Sequence, residues 1–512
     1  MRALVLLAVS LLSAVIAAVL GSYYIPRLSN HAGYELIEVV DPVVAAPTTR
    51  PRSVTLVVVD GLREDSARSM RTVEQLSSVG QCRTSDVGPY TVSRPVYALL
   101  STGLEVARNG ARNNHDTSPL AAESVWDVAA EASLRVGVSS HLPWWSQLFP
   151  RAFSDSAVLP EPEDVFSAAT ALGTEVTVIH PVMVDTAGHE YGAASNEYRD
   201  AVATVDTQAH AWLQTLDLQR DLVIFTADHG HTHDGGHGGP APELRNVVAC
   251  FAGPGIRPDR HAEPIDARVI APAIAMSLGL RFPRHMRAGE DGLDALWGIF
   301  DPDAMSPAYI DDRRRSVEVF RHRNTHVLAE TLGPERPPLH SAWVQRQRLA
   351  RLPIISALLA FLGLGLAASL LRRGLSGEEA LRSCLWIAAT FVVTATVWTV
   401  ARGSFDYTSI KERTPFLLNS LMVCGGVALA MVVLHRHWLR DPSRWAADQA
   451  TIAALDATLM LLHPLAFGWP LGNPLPHPAL LFAPFLMATF GVVHGLVGVA
   501  ASVRELVLLR SS

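Results

Sequence analysis

DLVIFTADHGHTHDGGHGG, residues 221–239, is the stretch whose reading decides the fold. The apolar run at 222–227 reads as a buried strand that stops at Asp228 and His229. A glycine-rich loop then delivers His237. Strands hold a side chain in place accurately, and glycine lets the backbone fold closely around an ion. A carboxylate and an imidazole at a strand end, followed by another imidazole on a pliant loop, therefore point to metal ligation.

Working outward, SVTLVVVDG (53–61) is a second β-branched run and closes on Asp60. A third run, 175–184, leads into VDTAGHEYG, which carries Asp185 and His189. Further β-like runs at 81–88, 135–139 and 247–252 alternate with helix-like segments at 62–78, 90–103, 121–132 and 195–216. Such alternation predicts an α/β domain with a largely parallel central sheet flanked by helices. Ligands of such sheets gather beyond the carboxyl ends of the strands, where Asp60, Asp185 and Asp228 all fall.

The chain has 512 residues, too many for one ordinary core. Its mean hydropathy of +0.21 averages two compositions, a soluble one over 50–345 and a membrane-like one over 350–505. The net charge of −7 comes with no basic stripe, which gives no support to nucleic-acid binding. The boundaries read as an anchor helix at 1–21, a connector at 22–52, a catalytic domain at 53–300, a polar juxtamembrane segment at 301–350 and a five-span membrane region at 351–512.

Residues 3–20 are apolar, near the ~20 residues that cross a bilayer, and read as an uncleaved signal anchor. Five further spans are expected at 352–371, 383–401, 415–435, 447–469 and 479–500, making about six. Arg372, Arg373, Arg382, Arg436, Arg440, Arg444, Arg504 and Arg510 share one face. The positive-inside bias then places both termini in the cytoplasm and the catalytic domain outside. Asp456 and His494 fall near mid-depth and are expected to pair. Cys82 and Cys250 read as structural and could pair if their domain faces an oxidising compartment.

Five segments carry the chemistry: Asp60; Thr91 and Ser93 of TVSRP; Asp185 and His189; Asp228 and His229; and His237. Pro95 suits the first turn of a helix, so Ser93 lies near a helix N-terminus, whose free N–H groups favour phosphate and a developing alkoxide. Three aspartates, three histidines and a hydroxyl, with no thiolate, suit Zn²⁺ or Mn²⁺. Seven ligands are too many for one tetrahedral ion and natural for two, and paired metals clamp both oxygens of a phosphoryl displacement. His231 and His233 are expected to be solvated loop residues, with substrate contact the alternative. His180 reads equally as a buried, satisfied histidine or a member of the site.

The ordered set VVVDGLRED, TVSRP, VDTAGHEYG and TADHGHTHDGGHGG resembles the alkaline phosphatase superfamily. Within it, the set is most similar to the branch of GPI ethanolamine-phosphate transferases and nucleotide pyrophosphatase/phosphodiesterases. The resemblance covers residues 53–290 and implies an alkaline-phosphatase-like core with two Zn²⁺ (or Mn²⁺) ions. It implies one ion held by Asp185, His189 and His237, and another by Asp60, Ser93, Asp228 and His229. Ser93 would be the nucleophile and Thr91 the fallback. The implied activity is transfer of phosphoethanolamine from a phospholipid donor to a glycan or lipid-sugar acceptor through a covalent phospho-Ser/Thr. The alternatives are a phosphodiesterase or pyrophosphatase releasing product to water, and an inactive membrane scaffold.

Overall fold

The computed structural model describes residues 2–29, 38–39, 43, 45–259, 262–286, 294–332, 377–403, 413–434, 442–467 and 478–511. The chain divides into two compact units, 30–343 and a second made of 1–29 with 344–512.

The first unit is built on an eight-stranded sheet: β1 (Ser53–Val59), β2 (Gln81–Asp86), β3 (Val136–Ser140), β4 (Asp155–Val158), β5 (Val176–His180), β6 (Asp221–Ala227), β7 (Asn246–Ala252) and β8 (Ile265–Asp266). The strand order is β4-β3-β5-β1-β6-β7-β2-β8, and among the described residues only β7 runs against its neighbours. The expected largely parallel α/β core is therefore present. β1, β5 and β6 are buried on both faces, which their near-continuous Val, Ile and Leu content reflects. Two short edge strands, β4 and β8, lie outside the expected runs; at four and two residues they are too short to leave a period.

The register matters more than the order. Val59 pairs with Ala227, so Asp60 and Asp228 leave adjacent parallel strands side by side. The run expected to extend over 175–184 breaks at His180-Pro181, and a helix, Met183–Tyr191, takes up Asp185 and His189. Four residues apart on a helix, these two share one face. On the far side, the antiparallel pair β2–β7 sets Cys82 opposite Cys250, and they form a disulfide.

Beyond the expected limit of the catalytic domain, the helix Pro307–Leu332 packs on this same unit through Tyr309, Val317 and Phe320. Tyr309 Oη donates to the Met276 carbonyl at 2.8 Å. The described part of the expected polar juxtamembrane segment thus carries an apolar stripe, which its many arginines mask in the average composition.

In the second unit the N-terminal helix Arg2–Ser29 packs along Pro478–Ser511 and Pro442–Phe467. The approach is close: a Cβ added to Gly495 would lie 2.5 Å from Ala14 Cβ. Three described helices are long and apolar enough to cross a membrane, namely Ala3–Leu20, Cys384–Arg402 and Leu486–Leu508, and Phe416–Met431 is a shorter apolar helix. The span expected at 352–371, and the loops that carry Arg372, Arg373, Arg436 and Arg440, lie outside the described residues. The expected pairing of Asp456 with His494 is not formed. His494 Nδ1 instead meets Gln449 Oε1 at 2.9 Å, two helical turns from Asp456. Asp456 packs against Gly491, where an added Cβ would lie 2.2 Å from its Oδ2.

Candidate active site and metal centre

The carboxyl ends of β5, β1 and β6 are neighbours, and everything expected of the site converges above them. Asp60 and Asp228 are buried with His229 beside them. His229 Nε2 lies 3.5 Å from Asp60 Oδ1 and 3.2 Å from Asp228 Oδ2. Neither carboxylate oxygen has a hydrogen-bond partner. Their other oxygens are occupied: Asp228 Oδ1 accepts from the Gly61 and His229 N–H groups at 3.1 and 2.9 Å. Asp60 Oδ2 accepts a short bond from Tyr97 Oη and lies 3.2 Å from His180 Nε2. His229 Nδ1 donates to the Gly230 carbonyl at 3.1 Å, which leaves Nε2 bare. Two orphaned buried carboxylate oxygens beside an unprotonated imidazole nitrogen, whose one donor is the Ser93 hydroxyl, suit a cation.

Ser93 opens the helix Ser93–Thr102, and its Oγ stands 3.2 Å from that same His229 Nε2. The hydroxyl also accepts from Asn114 Nδ2 at 3.3 Å. Asn114 is a site residue that sequence reading missed, because it sits in a polar loop with no period to mark it.

A second cluster lies alongside. His189 Nε2 is 3.0 Å from His237 Nε2, and the two nitrogens lie 3.5 and 3.6 Å from Asp185 carboxylate oxygens. His237 Nδ1 donates to the Thr91 carbonyl at 2.6 Å, so its Nε2 presents a lone pair. Thr91 Oγ1 donates to the Gly239 carbonyl and accepts from the Gly238 N–H, at 2.9 and 2.8 Å, so the hydroxyl clamps the His237 loop. The groups that could hold a metal are Asp60, Asp228 and His229, and Asp185 with His229, His231 and His237.

The expectation that His231 is a solvated loop residue is overturned. It is fully buried, accepts from the Gly236 N–H at Nδ1 and donates from Nε2 to Asp185 Oδ1 at 2.7 Å. Gly188 makes room for it, since a Cβ there would lie 2.5 Å from the His231 ring. Both its nitrogens are engaged, so it orients Asp185 rather than offering a lone pair. His233 is exposed, as expected. A groove of about 460 Å³ opens beside it, lined by Arg63, Asp65, Met70, Arg199 and Val202, and none of the converging ligands lines it. His180 is buried beneath Asp60, with Nδ1 meeting Ser140 Oγ at 2.8 Å.

The electrostatics have one pattern. Burial pushes the Asp228 carboxyl well above its ordinary range, and the neighbouring Asp60 and Asp185 charges add to this. Burial, with Asp60, raises Asp185 to about 6. Burial lowers His229 to about 3 and His237 well below its ordinary value. Burial opposes ionisation of Asp60 too, but His180 and His229 outweigh it and hold that carboxyl low. Carboxylates crowded together with neutral imidazoles are an arrangement that only added positive charge relieves. The residues present therefore fit divalent metal, with hard and borderline donors and no thiolate.

Residues 92–234 match the family model of type I phosphodiesterase / nucleotide pyrophosphatase, a stretch that contains Ser93, Asp185, His189, Asp228 and His229. The chain is 25% identical over 274 residues to GPI ethanolamine phosphate transferase 3, catalytic subunit, of Mus musculus, covering 45% of this chain and 24% of that protein. It is 21% identical over 278 residues to GPI ethanolamine phosphate transferase 1 of Saccharomyces cerevisiae, covering 44% and 30%. The chain thus spans about a quarter of the length of the first of these relatives. Among solved structures, it is similar to murine ectonucleotide pyrophosphatase / phosphodiesterase 5 at 13% identity and a TM-score of 0.41, over 50% of this chain and 100% of that one. It is likewise similar to a wild-type alkaline phosphatase at 12% identity and a TM-score of 0.39, over 50% and 100%. The resemblance read from the four motifs is borne out: the first unit carries a stretch that matches the type I phosphodiesterase / nucleotide pyrophosphatase family model and is similar in sequence to GPI ethanolamine phosphate transferases.

Proposed function

We propose that this chain is a membrane-bound, metal-dependent phosphotransferase that uses Ser93 as its nucleophile. The observation that carries the proposal is the position of Ser93 Oγ at a helix N-terminus, 3.2 Å from a bare imidazole nitrogen flanked by two orphaned carboxylate oxygens. Asp60, Asp228, His229 and Ser93 would hold one ion, and Asp185, His189 and His237 the other. When bound, two divalent cations, Zn²⁺ or Mn²⁺, would lower the pKa of the Ser93 hydroxyl and neutralise charge building on the phosphoryl oxygens.

The rest of the step belongs to the chain. The Ser93 proton passes to solvent, and Oγ forms a bond to phosphorus as the bond to the leaving alkoxide breaks. The leaving oxygen takes up a proton from water. An acceptor hydroxyl then displaces Oγ from phosphorus and gives up its own proton, which restores Ser93. Asn114 Nδ2, already directed at Oγ, is placed to donate to a phosphoryl oxygen in both displacements. Thr91, whose hydroxyl is engaged on both sides, serves the His237 loop and not the attack.

The similarity to GPI ethanolamine phosphate transferases supports phosphoethanolamine as the group moved and a glycan or lipid sugar as acceptor; a phospholipid donor is what the motif resemblance implies. The Cys82–Cys250 disulfide supports a catalytic domain in an oxidising, extracytoplasmic compartment, and the arginine bias of the loops and the apolar stretches support both termini cytoplasmic with about six spans. The phosphodiesterase family match favours a second reading, in which water replaces the acceptor alcohol. Mass spectrometry of protein purified from membranes tests the first: it expects a metal-dependent adduct on Ser93 matching phosphoethanolamine. Full turnover by Ser93→Ala, with no adduct on the wild type, would defeat it. Turnover of a chromogenic phosphodiester with no acceptor alcohol added would select the hydrolase.

A further inference from the structure

Arg94 follows Ser93 on the same helix, and its side chain is fully buried. Its Nη1 donates to Gln147 Oε1 at 2.8 Å, and the guanidinium lies 5.7 Å above the Trp144 ring. Nε and Nη2 have no partner. These two form the side-on fork of a guanidinium, the edge that pairs bidentately with a carboxylate or phosphate. A buried charged donor left without an acceptor costs far more than an exposed one, so an orphaned fork implies a group that arrives later. Arg94 is thus one residue from the nucleophile and rests against Trp144 and Gln147 of the helix that follows β3. Trp144 and Gln147 are only half-buried, so solvent reaches the residues that hold the guanidinium.

We propose that the Nε–Nη2 edge of Arg94 is an oxyanion subsite that receives phosphate oxygens of the substrate phosphoester. The assignment rests on the phosphoester reading above. Gln147 and Trp144 hold the guanidinium in one orientation, and Lys at this position would supply charge without the fork.

Calorimetric titration of inorganic phosphate into the full-length, Zn²⁺-loaded protein in detergent tests this. Arg94→Gln and Arg94→Lys should each weaken phosphate binding about 10- to 100-fold, as expected for a lost charge-assisted pair, with metal content unchanged. Gln147→Glu provides a check that leaves the arginine in place: its carboxylate would compete for the guanidinium and should weaken phosphate binding as well. Phosphate affinity unchanged across all three variants, or absent from the wild type, overturns the subsite. The Ser93 adduct, measured on the same preparations, reads the phosphotransferase proposal separately. An adduct with unchanged phosphate affinity in the variants sinks only the subsite, and weakened affinity without any adduct sinks only the transfer reaction.

Discussion

His231 donates its Nε2–H to Asp185 Oδ1 at 2.7 Å while its Nδ1 accepts from the Gly236 N–H at 3.1 Å. The histidine is thereby fixed in one tautomer and fixes Asp185 in turn, the usual way a protein orients a carboxylate ligand. His231→Ala should lower metal affinity about 10- to 100-fold at the Asp185 site while the fold persists. Gly188→Ala should do the same from the other side, by driving a methyl group into the ring. Zn²⁺ titration of chelator-treated protein checks both, and unchanged affinity would remove His231 from the site.

Thr91 and Ser93 separate on the same logic. Ser93→Ala deletes the proposed nucleophile and should abolish both the adduct and turnover, while Asp60, Asp228 and His229 still hold the ion, more weakly. Thr91→Val keeps the shape but loses bonds to Gly238 and Gly239. It should loosen His237, weaken metal binding and reduce turnover in part, with the adduct still on Ser93. An adduct on Thr91 in the Ser93→Ala variant would reverse the two roles.

Much of this centre was legible in the sequence because its ligands sit where strands stop. β1 and β6 are continuous β-branched runs, and the aspartates that end them announce themselves. The fused run at 175–184 was harder: Val182 and Val184 look like strand residues, yet Pro181 lacks an N–H and the chain turns into a helix. His231 was invisible for another reason. Its burial depends on Gly188, a residue of a different segment, and no local pattern reports that approach. Asn114 and Arg94 share this character, since their meaning comes from neighbours brought together by the sheet order. In the membrane unit, Asp456 and His494 were matched by depth alone, whereas the actual partner of His494, Gln449, is a polar residue whose claim depends on helix rotation.

The disulfide closes a loop of 168 residues across the antiparallel pair β2–β7. In the chain-entropy view, so long a loop restricts the unfolded state strongly. Cys82→Ser with Cys250→Ser should cost about 2–5 kcal/mol, and thermal melting in detergent should show a lower midpoint for the double variant and for reduced wild-type protein alike. Equal midpoints would mean that the cysteines serve only as small apolar residues in the two strands.

The metal-free protein should show an inverted dependence on Asp185. Its folded pKa, about 6, lies above the ordinary 3.8, because burial and the Asp60 charge oppose ionisation. A group raised in this way favours the fold fully below pH 3.8, and that contribution disappears as pH rises through about 6. At pH 7 the ionised Asp185 therefore works against the metal-free fold, and Asp185→Asn should stabilise that state by roughly 1–3 kcal/mol. The gain should shrink to nothing below about pH 4, where the native carboxyl is already neutral. Divalent metal reverses the sign, since the ligand must be deprotonated to bind, and the loaded wild type should then melt above the loaded Asn variant. Melting curves across pH 4–7.5, with chelator and with Zn²⁺, test both halves. A wild type more stable than Asp185→Asn in chelator at pH 7 would show that the buried carboxylate is compensated by groups other than a cation.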